Sequence, residues 1–143
     1  MKNIIYVLLI ILLVNGCNDS KQKLTGKVTF SDGEPLTVGT VVFSTPTTLS
    51  RATIKPDGTF TVGTFKDKDG IPPGTYKVSI IDAYRTDPTD TSGQSVIPVV
   101  AKEFTSEATT PFTITIPGTK TFDIVVERAP VEKTNRRENR RVP

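Results

Sequence analysis

A chain of 143 residues is long enough for one self-sufficient core once an N-terminal targeting segment is set aside. Without histidine or tryptophan, and with a single cysteine, it excludes His/Cys metal cages, nucleophile–histidine pairs and an internal disulfide. The net charge of +3 is local, because six of the 18 basic residues fall between 128 and 143; the rest is close to neutral, so the basicity is weak evidence for a nucleic-acid-binding fold.

Lys2 is followed by an apolar run over residues 4–14. A helix of that length spans about 16 Å, roughly half of the hydrocarbon core, so it reads as an export signal rather than a membrane span. The run ends in Val14-Asn15-Gly16-Cys17, which resembles the lipobox of bacterial lipoproteins, although Asn15 is polar for its place. The resemblance implies a signal peptide over 1–16, removed before Cys17, with a diacylglyceryl group on the Cys17 thiol and an acylated, palmitate-type amino terminus. One chain anchors marginally and two or more anchor stably, so a multiply acylated Cys17 would hold the protein on a membrane. Asn18 stands where an aspartate resembles an inner-membrane retention signal, which leans towards the outer membrane. Residues 17–23, polar apart from the cysteine, read as the lipidated residue and a tether.

From Leu24 onward apolar and polar residues alternate, the period of a strand with one buried face. Leu24, Val28 and Phe30 share a face, and the period returns in Val41-Val42-Phe43, Ala52 with Ile54, and Phe60 with Val62. It returns again in Tyr76-Lys77-Val78-Ser79-Ile80, Phe112-Thr113-Ile114-Thr115-Ile116 and Phe122-Asp123-Ile124-Val125-Val126. Turn signals separate the runs, among them Ser31-Asp32-Gly33, Pro56-Asp57-Gly58 and Pro72-Pro73-Gly74. Seven strands at this spacing predict an all-β sandwich over residues 24–127.

The ordered set Gly26-Lys27-Val28-Thr29-Phe30, Asp32-Gly33-Glu34-Pro35-Leu36, Gly39-Thr40-Val41-Val42-Phe43, Asp57-Gly58-Thr59-Phe60 and Pro73-Gly74-Thr75-Tyr76-Lys77-Val78 resembles the carboxypeptidase regulatory-like, or transthyretin-like, domain. The resemblance implies a seven-stranded, prealbumin-like Greek-key sandwich, with Tyr76 packed inside and its hydroxyl capping a loop. It implies no common activity. The hydrolases of that fold depend on histidines, and this chain has none.

Asp67-Lys68-Asp69-Gly70 has the alternating carboxylates of part of a calcium loop but lacks a third acid and the distal glutamate, so it reads as a polar turn. Residues 82–96 form the most irregular stretch, and Asp82, Tyr84, Arg85, Asp87 and Asp90 are its candidate recognition residues. The segment 128–143 has no apolar period and reads as a basic, disordered tail. Its Arg136, Arg137, Arg140 and Arg141 are candidates for contact with anionic headgroups or cell-wall polymers.

No catalytic constellation, metal site or cofactor is expected. The reading is a lipid-anchored, non-catalytic binding or structural module of the cell envelope, on the cell membrane or outer membrane and facing the periplasm or exterior. Its expected partners are the membrane, through Cys17, and an envelope protein or polysaccharide, with nucleic acid excluded by compartment. The alternative is an accessory ligand- or carbohydrate-binding subunit of a transport or degradation system, for which the chain is poor in aromatics.

Overall fold

Alternation over short runs, cut by glycine and proline, produces strands and, among the described residues, almost no helix. The computed structural model describes residues 20–130. Nine strands appear in chain order: β1 (Thr25–Phe30), β2 (Thr40–Ser44), β3 (Leu49–Thr53), β4 (Thr59–Thr61), β5 (Gly74–Ile81), β6 (Tyr84–Thr86), β7 (Val96–Pro98), β8 (Thr113–Ile116) and β9 (Ile124–Val126). One 3-10 turn, Lys102–Phe104, lies between β7 and β8. Among the described residues no helix is long and apolar enough to cross a membrane.

The strands form a three-stranded sheet in the order β4-β1-β9, a four-stranded sheet in the order β3-β2-β5-β8, and a separate β6-β7 ladder. Within the first, β1 runs antiparallel to β4 and parallel to β9, with Val28 opposite Ile124. In the second, every pair is antiparallel, and Phe43 on β2 faces Val78 on β5.

The two larger sheets share one apolar core. Val28, Phe60 and Ile124 from one sheet and Val41, Phe43, Tyr76, Val78 and Ile80 from the other are all buried in it. Phe43 and Phe60 meet across the sheets at 6.1 Å between ring centroids. A buried Phe of this kind withdraws roughly 150–250 Å² from water, so aromatic contacts between sheets carry much of the cohesion. Tyr76 lies in the same interior, and its hydroxyl donates to the Pro72 carbonyl at 2.9 Å, closing the turn before β5. Burial raises the Tyr76 phenol above its ordinary pKa, so it remains a donor at neutral pH.

Three boundaries drawn from sequence move. Residues 82–96, expected to be irregular, end in strands: Arg85 pairs with Ile97 in the β6-β7 ladder. Lys21 and Gln22, assigned to the tether, belong to the folded body. Gln22 exchanges backbone hydrogen bonds with Ile71 at 2.9 Å each, and its side-chain amide donates to the Thr119 carbonyl.

Arg128, assigned to the tail, is likewise held. Its guanidinium donates to Asp32 and Glu34 and lies 3.9 Å from the centroid of the Phe30 ring. Ala129 also belongs to the folded body, its N–H donating to the Val99 carbonyl. Cys17, the segment 1–16 and Arg136, Arg137, Arg140 and Arg141 lie outside the described residues.

Candidate functional site

Strand β5 leaves the four-stranded sheet through a sharp turn, and a pocket opens where it does. Asp82 adopts a left-handed backbone conformation, with φ of 56°, that swings the chain from β5 into β6. A short acidic side chain tolerates that region far better than a branched one. The turn leaves Ile80 and Ala83 buried as the floor of the cleft and Asp82 and Tyr84 exposed on its rim.

The opposite wall comes from two distant segments. Ala83 accepts from the Val99 N–H at 3.0 Å, the Val99 carbonyl accepts from Ala129 at 3.0 Å, and Ala101 donates to Glu127 at 3.0 Å. This backbone lacing brings Val100, Lys102, Thr105, Ala129 and Pro130 beside the β5–β6 turn. The enclosed space is about 440 Å³, within the range that holds a small molecule, and its surface is predominantly apolar.

Of the five residues singled out in the irregular stretch, the structure brings Asp82 and Tyr84 to the pocket; Arg85, Asp87 and Asp90 do not line it. Asp87 accepts from the Thr89 N–H at 2.8 Å and hydroxyl at 2.7 Å, and these bonds hold its carboxyl below the usual range. Asp90 accepts from the Ser92 hydroxyl at 2.6 Å and N–H at 2.9 Å, and from the Ser95 N–H at 2.6 Å. The Ser92 hydroxyl leads in pushing the Asp90 carboxyl well below the ordinary carboxylate range. Both acids close the loop that joins β6 to β7.

The acids of the calcium-like stretch are also engaged locally. Asp69 receives Lys21, the Thr64 N–H at 2.6 Å and the Phe65 N–H at 3.3 Å. Its carboxyl is held well below the usual range, first by Lys21 and then by the Thr64 amide. Asp67 pairs with Lys68 at 3.4 Å and is exposed. Among the described residues no three acidic or cysteine side chains converge as a metal site would require.

Sequence reasoning missed Val100, Lys102, Thr105, Ala129 and Pro130, which come together only through the lacing of residues 99–101 to 127–129. It also missed Phe65, which is 81% exposed beside Lys21. An aromatic residue between Thr64 and the charged run Lys66-Asp67-Lys68, with no apolar neighbour, was the available signal.

Fold and site together define a β-rich, sandwich-like protein with an apolar pocket at one end. No family model matches the chain, and no curated protein matches it. Among solved structures it is similar to a DUF3823 family protein from Bacteroides ovatus, at 21% identity and a TM-score of 0.44. That similarity covers 75% of this chain and 44% of the other, so the chain spans less than half of the relative's length.

Proposed function

We propose that this protein is a lipid-anchored, non-catalytic binding module of the bacterial cell envelope that receives a small apolar ligand, or an apolar side chain of a partner, in the pocket beside the β5–β6 turn. The observation that carries the binding part is the 440 Å³ apolar cleft, with Tyr84, Asp82 and Lys102 as polar groups at its margin. Such a cleft selects an apolar body and leaves its polar end in water. The anchoring part rests on Val14-Asn15-Gly16-Cys17 and the short apolar run before it.

The fold is read more finely here as a prealbumin-like Greek-key sandwich of carboxypeptidase regulatory-like type, to which β6 and β7 are an added ladder. Supporting this reading are the seven alternating runs, each of which forms or borders a strand of the two larger sheets.

Two measurements test the proposal. Radiolabelled palmitate should enter the wild type and not Cys17→Ser, and equal labelling of both removes the anchor. For the pocket, an anilinonaphthalene sulfonate dye has an apolar body and one anionic end that suits Lys102. The folded protein should bind it saturably at one site, and Ala129→Trp, which fills the cleft from its rim, should abolish that binding. Unchanged binding by Ala129→Trp would reject the pocket.

A further inference from the structure

Phe65 is the most exposed large apolar residue among the described residues, and it is not loosely held. The amides of Thr64 and Phe65 both donate to Asp69, and the Lys21 ammonium bonds to Asp69 while lying 4.3 Å from the centroid of the Phe65 ring. A ring presented to solvent on a backbone tied at several points has little conformational freedom left to lose on insertion, which favours contact with an apolar phase.

The surroundings of the ring are cationic. Arg51, Lys66 and Asp67 border a shallow depression of about 230 Å³ beside Phe65. Asp67 is paired with Lys68, whereas Arg51 and Lys66 form no ion pair among the described residues. A depression flanked by two such cations accepts a phosphate, and an adjacent exposed aromatic ring suits the level where headgroups meet acyl chains.

Position supplies the third argument. The folded body begins at Lys21, so three residues of chain, four Cα steps, separate it from Cys17, at most about 14 Å when fully extended. The headgroup layer is several ångströms thick, so a lipid on Cys17 would keep Lys21, and with it Phe65, at the membrane surface.

We propose that the Phe65 loop is a membrane-docking edge. The ring enters the interface of an anionic phospholipid bilayer, and Arg51 and Lys66 hold a lipid phosphate beside it. The inference rests on the anchored reading of Cys17 for its proximity and on the loop itself for its chemistry.

The chain has no tryptophan, so a single introduced one reports its own surroundings. Phe65→Trp is compared with Val96→Trp, which lies on β7 and is 58% exposed in the wild type. Both are made in the full chain, extracted from membranes and returned to vesicles that contain phosphatidylglycerol and brominated acyl chains. The Phe65→Trp fluorophore should be quenched at least about twofold more than the Val96→Trp one. Adding Arg51→Gln and Lys66→Gln should cut the preference for phosphatidylglycerol over phosphatidylcholine by roughly fivefold for each cation lost.

Equal quenching at the two sites overturns the docking edge, and an unchanged lipid preference overturns the phosphate assignment. The mass of the amino-terminal peptide reads acylation separately. An unmodified Cys17 overturns the anchor, while the comparison of the two fluorophores still decides the edge.

Discussion

Gly26 and Gly33 are both glycines near β1, and replacing each with alanine separates two ways in which a glycine is required. A Cβ on Gly26 would lie 2.0 Å from the Phe122 carbonyl oxygen and 2.6 Å from the Phe60 ring, whereas one on Gly33 would meet nothing within 4 Å. An ordinary carbon–oxygen approach is about 3.3 Å, so Gly26→Ala must push the Phe122 backbone away by about 1.3 Å. That displacement strains the hydrogen bonds that Thr25 makes with Lys120 and Phe122, at 3.1 and 2.9 Å. Overpacking costs about 1–3 kcal/mol and each weakened bond about 1 kcal/mol, so Gly26→Ala should lose about 3–5 kcal/mol. Gly33 has φ of 87°, and alanine there should cost only about 1 kcal/mol, for backbone strain. With a urea m value near 2 kcal/mol/M, the midpoints should fall by about 2 M and about 0.5 M. Circular dichroism of the chain in mild detergent reads both. A Gly26→Ala midpoint no lower than that of Gly33→Ala would refute the close approach of β1 to the chain entering β9.

Phe60→Ala, which empties a core position against Phe43, should cost about 3–5 kcal/mol in the same assay. Phe65→Ala should stay within about 0.5 kcal/mol of the wild type while losing the membrane contact. Asp69 and Asp90 have carboxyls depressed in the fold, so their stabilising contribution is complete above the unfolded value near 3.8 and fades as pH falls below it. Asp69→Asn should therefore flatten the loss of stability below pH 4, measured as thermal midpoint against pH, and an unchanged acid limb would reject the Lys21–Asp69 account. Arg128→Ala should speed hydrogen exchange at the Ala101 and Ala129 amides, with Arg128→Lys recovering less than full protection because a single ammonium cannot reproduce the forked contact with Asp32 and Glu34.

Strands whose side chains alternate between core and water were legible because burial imposes the period. The run Tyr76-Lys77-Val78 and its neighbours form β5, and Phe122-Asp123-Ile124-Val125-Val126 leads into β9. β6 and β7 were not legible, since Tyr84, Arg85 and Thr86 are all exposed and their pairing is made by backbone atoms that carry no sequence signal. The same reason hid Gln22, whose partner Ile71 is found through main-chain groups. Arg128 was misplaced because a charged residue at the head of a basic run looks solvated, and its acids lie more than ninety residues away. Within the candidate site, Asp82 and Tyr84 were legible as members of an irregular stretch. Lys102 and Ala129 were not, because a composite pocket has no local pattern.

The geometry of β5 relates the two functional proposals. The chain enters this strand from Ile71, which pairs with Gln22 beside Lys21, and leaves it at Ile81, which lines the pocket. Eight residues of strand extend about 24 Å, but Thr53 and Arg51 beside Phe65 stand through β2 in register with Ile81 and Ser79, so the Phe65 depression lies on the β3 edge at the same end of the sheet as the pocket. If acylated Cys17 and Phe65 hold the β3 edge at the bilayer, the pocket stands two strands away across the sheet, beside β5. Quenching of Val96→Trp in place of Phe65→Trp would instead make the pocket a lipid-facing cleft, since Tyr84 and Pro98, which line it, pair in the ladder that carries Val96. The ligand to seek would then be an acyl chain.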